Sequence, residues 1–227
     1  MFLRKTKARL KIGGILRGVK TNFRVEGCLL FREWDAADKR WYYWEEWELL
    51  GLEHYDSWVE YDHYERKVSL YEPVRFATAI DPKSFCTGQT LTLNDAAGTA
   101  YDVRVQEVGE GEIVAIRGKN TYQVFEGERM AYATLQMTRQ GGTGKQTVTV
   151  EKYNDREYDA YKKITLSSQR QKRLFGRTIT PLPWFEWIFI ALVVLLVGWS
   201  LIDEYRNESS NASGRSVYGG GGGGLGK

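Results

Sequence analysis

Between positions 41 and 60 the chain sets Glu45, Glu46, Glu48 and Glu60 among Trp41, Trp44, Trp47 and Trp58. Paired carboxylates do acid/base work and indoles stack on sugar rings, so one chemistry for this group is a glycan cleft. A second is capture of a basic or polyamine-like ligand, by carboxylate contacts and by cations lying over aromatic faces. A β-sheet core with an acidic outer face explains the same residues without any site, because indoles bury well with their polar edge outward. The binding candidates are Trp44, Glu46, Trp58 and Glu60.

Other motifs carry less chemistry. Gly141 to Thr147, GGTGKQT, invites comparison with a phosphate loop. Gln146 follows Lys145 where a Ser or Thr would hold magnesium, and Arg139 stands at the early glycine position. A hairpin loop before a strand is the reading that remains. His54 and His63 each have acidic neighbours, but their spacing does not place two rings on one helix face, so no metal site is expected. Cys28 and Cys86 lack CxxC spacing and read as reduced core residues. The serines lack a nucleophile elbow. No catalytic residue, metal or cofactor is assigned.

The elements that must position these side chains are mostly strands. Asn22–Phe31 is β-like, with Gly27 as a bulge. Asp35–Lys39 turns into the aromatic run Arg40–Leu50, Gly51–Asp56 turns again, Trp58–Tyr64 pairs back, and Val68–Tyr71 closes the unit before Pro73. A second unit holds strands at Thr90–Leu93 and Tyr101–Val108, then a GEGE hairpin turn at Gly109–Glu112 into Ile113–Ile116. Tyr122–Phe125 reads as strand, Arg129–Met137 as strand or short helix, Gln146–Lys152 as strand, and Tyr153–Lys163 as a helix or a closing strand. The fold class is mainly β: two associated small antiparallel sheets or barrels plus one C-terminal transmembrane helix. The expected division is 1–76 and 77–165 for the β-rich units, 166–181 for a basic linker, 182–202 for the helix and 203–227 for a disordered Gly-rich tail.

The helix rests on LPWFEWIFIALVVLLVGWSLI, which holds one charge, Glu186, and would rise ~28 Å from Trp184 to Ile202. Bases without acids run from Lys162 to Arg177 just before it, and translocation keeps such residues inside. The sequence therefore predicts a single-pass protein of the inner (cell) membrane, with the N-terminal domain cytoplasmic and the tail outside. Arg170, Lys172, Arg173 and Arg177 would touch anionic headgroups. Net charge is +3, too small to point to nucleic acid, and the mean hydropathy of -0.46 makes most of the chain water-compatible.

Trp44, Glu46, Trp47, Leu49, Trp58, Val59 and Glu60 fit a Trp-x-Glu-aromatic-x-Leu strand, a turn and a Trp-hydrophobic-x-Glu strand. In this, and in Gly98-x-x-Tyr101-x-Val103 followed by Gly118 and Gly127-Glu128-x-x-x-Tyr132, residues 10–165 resemble the bacterial DUF4178 domain family, whose function is unassigned. The resemblance implies a β-rich module, sometimes joined to membrane segments and accompanied by polyamine-synthase-like and small membrane proteins. It supplies no catalytic residues.

These readings predict an adaptor or sensor, not a catalyst, that binds a protein or small cationic partner at the inner membrane. Membrane lipid and other membrane proteins are the expected partners. An enzyme or accessory subunit linked to polyamine metabolism is the alternative, and a structural component of a membrane stress complex is a third. A deep pocket with converging carboxylates would favour the enzyme; a filled barrel would count against it.

Overall fold

The computed structural model describes residues 5–51, 57–121, 123–154, 157–181 and 191–202. Ten strands form in chain order: β1 (Ile15–Arg17), β2 (Asn22–Asp35), β3 (Arg40–Leu50), β4 (Trp58–Asp62), β5 (Val68–Pro73), β6 (Thr90–Asn94), β7 (Ala100–Gly118), β8 (Arg129–Arg139), β9 (Lys145–Tyr153) and β10 (Asp159–Thr165). A helix, α1 (Ser168–Phe175), follows. The neighbour order is β1-β2-β3-β4-β5-β10-β9-β8-β7-β6, and β2 also pairs β7. That last pairing, Gly27–Arg32 against Glu112–Gly118, closes eight antiparallel strands into a barrel. β1 and β6 are extra strands at its margins.

Closure corrects the expectation of two associated small sheets. The first and second halves of the sequence meet twice, at β2–β7 and at β5–β10, so they complete one wall. Residues 1–181 form one compact unit and 182–227 another.

The wall is apolar on its outer face. Cys28, Trp47, Leu49, Val59, Tyr61 and Val68 are covered by Leu16, Leu166, Ile179 and Phe175 of α1. On the other flank Val103, Val105, Leu135, Met137, Val148 and Val150 are covered by Phe76, Ile80 and Phe85. Strand side chains alternate between faces. The residues between these therefore point inward, and they include Glu46, Glu60, Thr149 and Glu151, so the acidic face expected outside is the inside.

Three local expectations are also corrected. Gly109–Glu112 is no turn: β7 runs straight through it. Neither Gly109 nor Gly111 takes a positive φ, and each lies under an aromatic ring instead: a Cβ on Gly109 would come 2.6 Å from Tyr132 Cζ, one on Gly111 2.7 Å from Trp44 Cζ2. Residues 123–125 are not strand, and Tyr122 lies outside the described residues. The basic linker holds α1, whose N-cap Ser167 accepts from Arg170 N and whose C-cap Gly176 takes φ 74°. The expected bulge at Gly27 is present, as a register shift between Val25 and Gly27.

The anchor expectation is overturned. Among the described residues no helix is long and apolar enough to cross a membrane. The single-pass inner-membrane location, with its cytoplasmic domain and outside tail, rested on that span and falls with it. Residues 182–190, the tail 203–227, positions 52–56 with His54, and 1–4 lie outside the described residues.

Candidate functional site

The barrel interior holds a cavity of about 490 Å³. Register arranges its walls in levels. On β2 and β3 the inward pairs are Leu29 with Glu46, Phe31 with Trp44 and Glu33 with Tyr42, so Glu46 lies at the floor, Trp44 midway and Glu33 near the mouth. Glu60 of β4 is the cross-strand partner of Glu46. Tyr71 of β5, Glu151 of β9 and Lys163 of β10 complete the floor.

The floor is an acid cluster around one ammonium. Lys163 Nζ donates to Glu60 Oε1 at 2.9 Å and lies 5.5 Å from the Tyr71 ring centroid. Tyr71 OH donates to Glu60 Oε2 at 2.5 Å. Trp44 Nε1 donates to Glu46 Oε1 at 2.9 Å. Glu151 is 3% exposed and its Oε2 meets no hydrogen-bond partner. Burying a charge without a full set of partners favours the neutral acid. Burial accordingly pushes Glu46 up to about 8, helped by the Glu60 charge and opposed by the Trp44 N–H. Glu151 is held well above the ordinary carboxyl range by burial, then by Glu46 and Glu60. Burial alone would lower Lys163, but the Glu60 carboxylate and its hydrogen bond outweigh it and the ammonium is favoured. Burial also raises the Tyr71 phenol.

Nearer the mouth Glu33 accepts from Tyr132 OH at 2.6 Å, and Glu107 accepts from the same hydroxyl at 3.1 Å. Burial raises Glu33 despite that bond. Glu107 faces inward because a bulge between Val105 and Glu107 shifts the register, and bulges re-aim side chains. Asp35, Asp62 and Glu65 add carboxylates at the rim, and Lys163 is the one Lys or Arg among the cavity's described lining residues.

Three of the four binding candidates, Trp44, Glu46 and Glu60, meet in this cavity. Trp58 does not line it. It lies within the barrel against Tyr71 (5.7 Å between centroids) and Tyr161 (3.9 Å), and lines a much smaller pocket of about 30 Å³ that shares Glu46. Residue reading missed Glu33, Tyr71, Glu107, Tyr132, Glu151 and Lys163. The available signal was the alternation of Thr147, Thr149 and Glu151 with Val148 and Val150, but nothing in the strand shows which of the two faces is covered. The basic candidates fall elsewhere. Arg170 and Arg173 border a groove of about 380 Å³ beside α1 with Phe23, Leu166 and Leu174, Lys172 lies in the last turn of α1, and Arg177 donates to Arg9 O at 3.0 Å.

His63 belongs to a different structure. Its Nε2 lies 2.5 Å from Glu45 Oε1, and the fully buried Glu45 also accepts from Trp47 Nε1 at 2.8 Å, Ala8 N at 3.1 Å and Lys7 N. This carboxylate pins the N-terminal segment to the outer wall. Cys28 is buried in the core with its thiol pushed up by burial, whereas Cys86 is exposed, against the expectation that both are core residues. Among the described residues no group of three or more His, Cys, Asp or Glu is placed to hold a metal ion. No protein-family model matches the chain, nor does any curated protein or solved structure, so its functional reading rests on the geometry of this cavity.

Proposed function

We propose that the chain is a binding module, an adaptor or sensor, whose barrel receives a small cationic ligand. The observation that carries this reading is Glu151: a buried carboxyl oxygen without a partner, in a cavity whose described lining holds eight carboxyl groups and a single ammonium. An unpartnered buried polar atom costs on the order of 1–3 kcal/mol, which a cationic donor entering the cavity would recover. Trp44, Tyr71 and Tyr132 offer aromatic faces and edges alongside. Calorimetric titration of small ammonium ions into the full-length chain tests the reading. Saturable binding that tightens as pH rises, because the cation replaces the proton burial keeps on the floor carboxyls, and that weakens in Glu151→Gln supports it; no heat with any cation defeats it.

A second reading, an enzyme or an accessory subunit of one, is favoured by the barrel being hollow and carboxyl-lined, not filled, and by the pairing of Glu46 with Glu60. One carboxyl is held neutral by burial and its cross-strand partner is ion-paired, a division of labour that acid/base catalysis uses. Recovery of a bound ligand chemically unchanged after long incubation would favour the binder.

A further inference from the structure

Resting on that reading, we infer that the ligand is a linear α,ω-diamine, one ammonium on the floor, the other at the mouth and the alkyl chain between them along Trp44. Carboxyl groups occur at two depths, not one. Glu46 and Tyr42, which is register-paired with Glu33, are four residues apart on β3, ~13 Å at ~3.3 Å per residue. Trp44 lies between them, stacked on Phe31 at 5.0 Å with an interplanar angle of 3°. Met130 and Val108 add apolar wall. Acid, apolar surface and acid in that order match a chain with a charge at each end. They do not match a compact ion, and no described group of carboxylates converges as a metal site would require.

The protein's own cations already contact groups at both depths, Lys163 from within the cavity and Arg40 from outside its lining. On the floor the Lys163 ammonium is held by Glu60 and the Tyr71 face. A primary ammonium has three donors, and the floor has acceptors to spare in Glu46 and in the unpartnered Glu151 oxygen. At the mouth the Arg40 guanidinium lies 4.5 Å from the Tyr42 centroid and 4.1 Å from that of Tyr64, two rings that line the cavity. Floor acceptors bonded through hydrogen select an N–H-bearing ammonium over a quaternary one.

Calorimetry on the full-length chain with butanediamine through octanediamine, butylamine, tetramethylammonium and magnesium tests this. One member of the diamine series should bind at least about tenfold more tightly than butylamine, the worth of one additional charge-assisted contact. Glu151→Gln at the floor and Glu33→Gln at the mouth should each bring that diamine down to butylamine affinity. If either variant fails to fold, as judged by circular dichroism, the other carries the test. Equal affinity for butylamine and every diamine, or tighter binding of tetramethylammonium or magnesium, overturns the diamine and leaves the cation reading standing. Absence of binding by every cation overturns both.

Discussion

Glu46 carries a carboxyl that burial keeps neutral up to about pH 8, against an ordinary value of 4.5. A raised acid favours the folded state below 4.5, and that advantage is lost as pH rises through about 8. The ligand-free protein should therefore lose stability across this window. Glu46→Gln, which keeps the shape and removes the ionisation, should flatten the loss and raise the melting temperature above pH 8; thermal melts across the window, compared with the unsubstituted chain, check it. Glu45 lies in the opposite situation, buried yet satisfied by two backbone amides, an indole and an imidazole. Glu45→Ala should cost about 3 kcal/mol or more by orphaning those donors, read as a lower denaturant midpoint. Adjacent glutamates on one strand thus serve opposite faces. The sequence shows the alternation but not that the face of Trp47 is covered by α1 and the N-terminal segment, which is why Glu46 was legible as a binding candidate and its inward direction was not.

At the scale of elements, β7 decides the shape of the cavity. Gly109 and Gly111 read as a turn because glycine tolerates turn conformations, but here the lack of a side chain is what matters: Tyr132 and Trp44 lie where a Cβ would be. Gly111→Val should displace the Trp44 ring, shift its fluorescence and abolish cation binding, while far-ultraviolet circular dichroism keeps its β signature. The outer face depends on α1 in the same way. Phe175 is 1% exposed and meets Phe23 edge-on at 5.9 Å, so Phe175→Ala should cost about 3–5 kcal/mol in chemical denaturation. Strands with strong alternation, such as Lys145–Tyr153, were legible nearly end to end. The helix was not, because its basic surface pattern also reads as a linker and only the Ser167 and Gly176 caps mark it.

For the whole molecule, closure of the barrel couples residues distant in sequence. The long-range pairs β2–β7 and β5–β10 mean that neither the segment 1–76 nor 77–165 can satisfy its edge strands alone. Expressed separately, each should be unfolded or aggregated by circular dichroism and gel filtration, whereas residues 1–181 should fold as a unit. The β class was legible from composition and turns. The single barrel was not, since two meanders and one closed wall share the same local pattern, and register between halves is a tertiary property. Closure also places the acids inside, as the proposed cation site requires. The most direct check is a titration of the full-length chain with a linear diamine, followed through its indole N–H resonances by nuclear magnetic resonance. The Trp44 signal, from the N–H bonded to Glu46, should move in a saturable way while that of Trp47, bonded to Glu45 behind the wall, stays in place. A Trp44 signal that does not move, or movement confined to the exposed Trp34 and Trp41, would contradict a cation-binding interior.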